Sequence, residues 1–124
     1  MSDGRTNPKK VISNLSAQIA DFDSAERDFF SQVLEINDRD TQAALHSVAN
    51  LDLVLSLFDA PTEVVEKIMS NLAPRAQVLL REDLRLVSEN GLWENEKIDT
   101  SMMAKREARS RFAGALYEAN TKKN

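Results

Sequence analysis

Apolar positions recur every three or four residues along most of this chain, the spacing of one helical face. Val11, Leu15, Ile19 and Phe22 make a first stripe. Asp23, with Glu26 three residues on, has the spacing of a capping box and predicts a second helix carrying Phe29, Phe30 and Val33. Asn37-Asp38-Arg39-Asp40 reads as a turn that doubles as the N-cap of a helix over 39–48, with Ala44, Leu45 and Val48 facing inward. Asn50 is expected to cap a short helix bearing Leu51, Val54, Leu55 and Phe58. Pro61 and Pro74 each stand where a first helical turn would begin, a place where proline's missing N–H costs nothing. The helix after Pro61 would bury Val64, Val65, Ile68, Met69 and Leu72. The one after Pro74 would run to about Ser88, with Asn90-Gly91 as its stop. Residues 91–98 read as a loop, after which Asp99 or Thr100 caps a last helix to about Ala119. That helix would present Ala108, Phe112, Ala115, Leu116 and Ala119 on one face.

No strand pattern competes. The expected fold is all-α, a compact right-handed bundle or superhelix of six or seven short helices. Helices of about ten residues are marginal alone and hold only by packing their apolar stripes together. Residues 11–119 form one domain in this reading, between a flexible lead over 1–10 and a flexible tail over 120–124.

Composition narrows the function. The chain has 124 residues, 42% hydrophobic and 29% charged, with a net charge of −4 that argues against general nucleic-acid binding. Cysteine is absent, which removes disulfides, thiol catalysis and Cys-ligated metals. No apolar run reaches the roughly 18–20 residues of a membrane span, and the start MSDGRTNPKK lacks the apolar stretch of a signal peptide. The expected location is the cytoplasm.

Catalytic chemistry finds little material. His46 is the only histidine and reads as a half-exposed helix residue. Gly4, Gly91 and Gly114 are isolated and make no phosphate loop. Asp38 and Asp40 lack the glycine and terminal glutamate of a calcium loop and fit N-cap duty better. Met102-Met103 is expected to fill core, and Trp93 to pack over a helix end. Lys105, Arg106, Arg109 and Arg111 on the last helix form either a solvated face or a surface for an anionic partner. The expectation is no enzyme, no cofactor and no metal.

The stretch LAPRAQVLLREDLRLV, residues 72–87, carries the densest charge. At 100° per residue, Ala76, Leu80, Leu84 and Val87 form its core stripe. Arg75 and Glu82 share a direction on one flank, with Asp83 on the core side of that flank. Arg81 and Arg85 are like-charged neighbours four apart, their repulsion partly offset by Glu89. On these grounds alone, a solvated face and a partner surface both stand.

The run from Asn37 to Leu84 then resembles the C-terminal domain of FliG, the flagellar motor switch protein family. The family's "DDRSIQ" turn is matched by Asp38-Arg39-Asp40-Thr41-Gln42, and its "VD...L..AL" helix by Leu53–Leu57. Its "KI..NMS.RAA" segment is matched by Lys67-Ile68-Met69-Ser70-Asn71-Leu72 and Arg75-Ala76, and its "LKEDI" by Leu80-Arg81-Glu82-Asp83-Leu84. The spacing holds without a gap. The resemblance implies that the helix after Pro74 is the torque helix, which faces the cytoplasmic loop of the membrane-bound stator, MotA. The family's functional arginine falls on Arg75 and its paired acids on Glu82 and Asp83.

Two positions and one segment depart from the family pattern. Its functional lysine falls on Phe58 and the following glycine on Asp59; its "GPVR" segment has no counterpart in Ser88–Trp93. The chain is also far shorter than a full rotor subunit, and with its start at MSDGR and its tail it is expected to be a natural stand-alone paralogue of the domain.

The resulting expectation is a non-enzymatic interaction module of the rotor switch, a motility regulator or rotor component at the flagellar basal body. It would dock a motor protein through Arg75, Arg81, Glu82, Asp83 and Arg85, with Phe58 as a further contact. The expected partners are a MotA-like stator loop, FliM or full-length FliG, with no nucleic acid and no membrane insertion, though the motor would hold the domain near the membrane. The alternative is a helical adaptor removed from motility, which binds through an apolar rim of Phe58, Phe29 and Phe30.

Overall fold

A computed structural model describes residues 23–121. The stripe at Val11, Leu15, Ile19 and Phe22, the lead over 1–10 and the last three residues lie outside the described residues.

Helix α1 (Ser24–Glu35) begins with the reciprocal capping box its sequence announces. The Glu26 amide donates to Asp23 Oδ1 at 2.9 Å, and the Asp23 amide donates to Glu26 Oε1 at 3.2 Å. In α2 (Asp38–Leu45), Asn37 is the cap, accepting from the Asp40 amide at 2.8 Å. This helix is shorter than expected. The amides of His46 and Ser47 turn back to the carbonyls of Ala43 and Ala44, and the chain leaves the helix there.

Helix α3 (Asn50–Leu57) starts from Ala49, so Asn50 is its first residue rather than its cap, and no side chain caps it. Leu53 through Leu57 are all buried, because other helices pack on two sides of α3. Leu51, at its first turn, is exposed instead of facing the core. Pro61 is the N-cap of α4 (Thr62–Met69) and Pro74 the first residue of α5 (Pro74–Asn90).

The expected loop over 91–98 contains a small antiparallel hairpin of β1 (Leu92–Trp93) and β2 (Glu96–Lys97), in register Leu92 with Lys97 and Trp93 with Glu96. Its turn residues Glu94 and Asn95 both have positive φ (52° and 69°), the requirement of a two-residue turn that follows the strand twist. Helix α6 (Met102–Thr121) is capped by Ser101, whose Oγ accepts from the Ala104 amide at 3.2 Å. Asp99 acts one step earlier, accepting from the Ser101 amide at 2.8 Å, so it positions the cap without being it.

The architecture is all-α, with six helices and this one hairpin among the described residues. Helix α6 is its spine, packing on α1, α2 and α3. Ala108, Phe112 and Leu116 are fully buried on its inner face, and the Phe29 ring sits between those of Phe30 and Phe112 at 5.7 and 5.6 Å. Met102 and Met103 do not fill core. They lie on the first turn of α6, before its buried stripe begins at Lys105, and both are exposed.

Two basic residues of α6, Lys105 and Arg109, turn inward, while Arg106 and Arg111 stay exposed. Arg109 is 3% exposed and meets Glu26, 2% exposed, at 2.7 Å. It also donates through Nε to the Ser56 carbonyl and through Nη2 to the Phe58 carbonyl, both at 2.9 Å, and its guanidinium stacks 4.9 Å from the Phe30 ring centre. Burial pulls the Arg109 pKa below its ordinary value against the opposing pull of Glu26, and an arginine so placed stays a cation. Arg106 pairs with Asp23, and Arg111 makes two 2.8 Å bonds to Asp52. The set that read as a solvated face or an anion surface thus ties α6 to α1 and α3.

Candidate docking face on helix α5

Helix α5 holds the charged stretch. Its 17 residues make a rod of about 25 Å. Ala73 offers no side-chain cap, and Gln77 Nε2 reaches back to the Leu72 carbonyl at 2.9 Å. At the other end Gly91 takes the left-handed conformation (φ 66°), its amide closing on the Val87 carbonyl at 3.0 Å. The Ile98 amide donates to the Gly91 carbonyl, which fastens the hairpin to the helix end. Trp93, just past that end, packs against the core. The inner face of α5 rests on α3 and β1, with Leu80 and Val87 buried and Ala76 and Leu84 half-buried, as the wheel requires.

The outer face carries the predicted charges. Arg75, Arg81, Glu82 and Arg85 are exposed, and Asp83 is half-buried on the core side of the same flank. Arg85 lies between two acids: it donates through Nε and Nη2 to Glu82, at 3.1 and 2.6 Å, and through Nη1 to Glu89 at 2.7 Å. The Arg85 hydrogen bond holds the Glu82 carboxyl below its usual value, and the same contact raises the arginine. Arg81 leans to the opposite side, toward Glu66 of α4 at 3.8 Å, which separates it from Arg85. Among the described residues Arg75 and Asp83 have no ion-pair partner.

Phe58 does not join this face. It closes α3 half-buried, its ring under the Lys105 ammonium at 5.5 Å. Asp59 adopts φ 63°, a conformation open to glycine and tolerated by aspartate, and pairs with Lys105 at 3.4 Å. Phe58 and Asp59 therefore form one local unit with α6. Phe29 and Phe30 are core residues, so the apolar rim of the adaptor reading does not form around them.

One feature of α5 escapes the charge reading. Val78 and Leu79 are 66% and 58% exposed, between Arg75 and the acids. Their off-stripe positions in the sequence are the signal that finds them.

Residues 25–110, which include all of α5, match the FliG C-terminal domain family. The flagellar motor switch protein FliG of Thermotoga maritima is 35% identical over 83 residues, 64% of this chain and 25% of that protein. The protein of the same name from Pseudomonas aeruginosa is 36% identical over 76 residues, 61% of this chain and 21% of its own length. The matched region thus spans a quarter or less of these curated relatives. No solved structure matches the chain. With the family match covering most of its length, the chain belongs to the FliG C-terminal domain family.

Proposed function

We propose that this domain is a non-enzymatic docking module of the flagellar rotor switch, and that α5 meets the cytoplasmic loop of a MotA-like stator subunit. The relatives are named as flagellar motor switch proteins, and the matched region contains α5 whole. The observation that carries the reading is the arrangement of Arg75 and Glu82 on one exposed strip, with Asp83 beside it, held outward by a helix whose other face is packed. Charges on a rigid rod at the surface set orientation and encounter rate more than raw affinity. The pairs that Glu82 and Arg85 make are exposed, so a partner's charge can exchange into them at little cost. In this reading the module works at the cytoplasmic side of the basal body, as a rotor component or as a competitor of full-length FliG.

The test is capture of the purified stator loop, FliM and full-length FliG by the wild-type chain and by Arg75→Glu and Glu82→Lys/Asp83→Lys variants, with helicity checked by circular dichroism. Loss of the stator loop by the folded variants is the expected result. Unchanged capture of every motor protein removes the proposal.

A further inference from the structure

Beside the charged strip, α5 borders a groove of about 350 Å³ that the docking reading leaves unused. Leu45 and Val48 from the end of α2, and Leu72 before α5, line it, and Leu79 stands at its lip. Asp83 and Glu94 close the end nearer the hairpin. Arg75, Leu79 and Asp83 are spaced four apart, one row of the helix, so a cation, an apolar side chain and an anion follow one another over about 12 Å. Asp83 and Glu94 have no ion-pair partner among the described residues. Leu79, 58% exposed, stands beside the aliphatic side chains of this groove, whose lining also includes the polar Asn50.

We infer that the groove takes the apolar ridge of an amphipathic helix in the docked partner, with a basic residue of that helix against Asp83 and Glu94. The inference rests on the docking reading above and adds where its affinity comes from. Exposed charges contribute little net binding and are screened by salt. A buried aliphatic anchor is not screened. The two acids at one end of the groove select a helix that is basic there and reject an acidic one.

The experiment titrates the purified stator loop into the wild type, Leu79→Ser, Val78→Ser and Glu82→Lys/Asp83→Lys, at low and high salt. It also records methyl shifts of Leu45 and Val48 by NMR. Leu79 is exposed, so its substitution leaves the fold intact. Leu79→Ser should weaken binding about tenfold at both salt concentrations, while Val78→Ser, outermost on the helix, changes it little. The charge variant should lose affinity mainly at low salt, and the Leu45 and Val48 methyls should shift on addition of the loop. Two results overturn the groove while sparing the docking reading: no loss from Leu79→Ser alongside loss from the charge variant, or equal loss from Leu79→Ser and Val78→Ser. A wild-type dimer that Leu79→Ser dissociates shows a second copy in the groove and also overturns the inference. No binding by the wild type sinks the docking reading itself, and the inference with it.

Discussion

Glu26 on α1 and Arg109 on α6 stand 83 positions apart in sequence and 2.7 Å apart in the interior. A buried pair of this kind adds little over a well-packed apolar pair, but removing one member strands a charge. Arg109→Met should lower unfolding free energy by about 3–5 kcal/mol in urea denaturation. The double variant Glu26→Leu/Arg109→Met should recover the part due to the stranded charge, the remainder being the lost capping box and the Ser56 and Phe58 carbonyls left without their donor. A double variant as unstable as the single would show that the two residues are not coupled.

Lys67 caps a helix other than its own. Its ammonium donates to the carbonyls of Val33 and Ile36, at 3.1 and 2.5 Å, at the end of α1 where no intrahelical donors remain. Lys67→Met keeps the aliphatic stem and removes the donors. It should cost about 2 kcal/mol, with faster amide exchange at Ile36, whose N–H holds the last turn of α1. Unaltered exchange there would show that the lysine is not the cap.

Two glycines should respond to alanine with opposite signs. Gly91 holds φ 66°, and a Cβ added there would meet nothing within 4 Å, so Gly91→Ala should destabilise by about 1 kcal/mol through backbone strain alone. Gly114 lies inside α6, also with open space around it. There alanine restricts the unfolded chain and suits the helix, and Gly114→Ala should raise stability by about 0.5–1 kcal/mol. Differential scanning calorimetry of both variants distinguishes the signs.

The Glu82–Arg85 contact predicts a pH window. The folded state holds the Glu82 carboxyl below its ordinary value of 4.5. The contact's contribution is therefore complete above about pH 4.5 and disappears as pH falls through the lowered folded value. The stability difference between wild type and Glu82→Gln should be small at neutral pH, shrink further with salt, and vanish in acid. A difference that persists in acid would mean that Glu82 acts through something other than its charge.

Much of this could be read from the residue pattern. The period placed all the described helices, and the Asp23–Glu26 spacing named its cap correctly, because both are local. The direction of Arg75 and Glu82 followed from helix geometry, and the structure keeps them outward. What failed was decided by residues far apart or by fine turn geometry. Arg109 looked like a surface cation because nothing near it in sequence hints at Glu26. Arg81 and Arg85 looked repulsive because Glu66 sits on another helix. The hairpin went unseen because Glu94-Asn95 replaces the usual Asn-Gly at two positive-φ positions. The groove beside Leu79 needed three segments in place before it existed.

The match to the FliG C-terminal domain family ends at residue 110, yet Phe112 and Leu116 are wholly enclosed on α6. The folding unit therefore runs past the matched residues. A gene trimmed to the recognisable region would yield a body missing part of its own centre, and any assay on that fragment would report on a collapsed remnant.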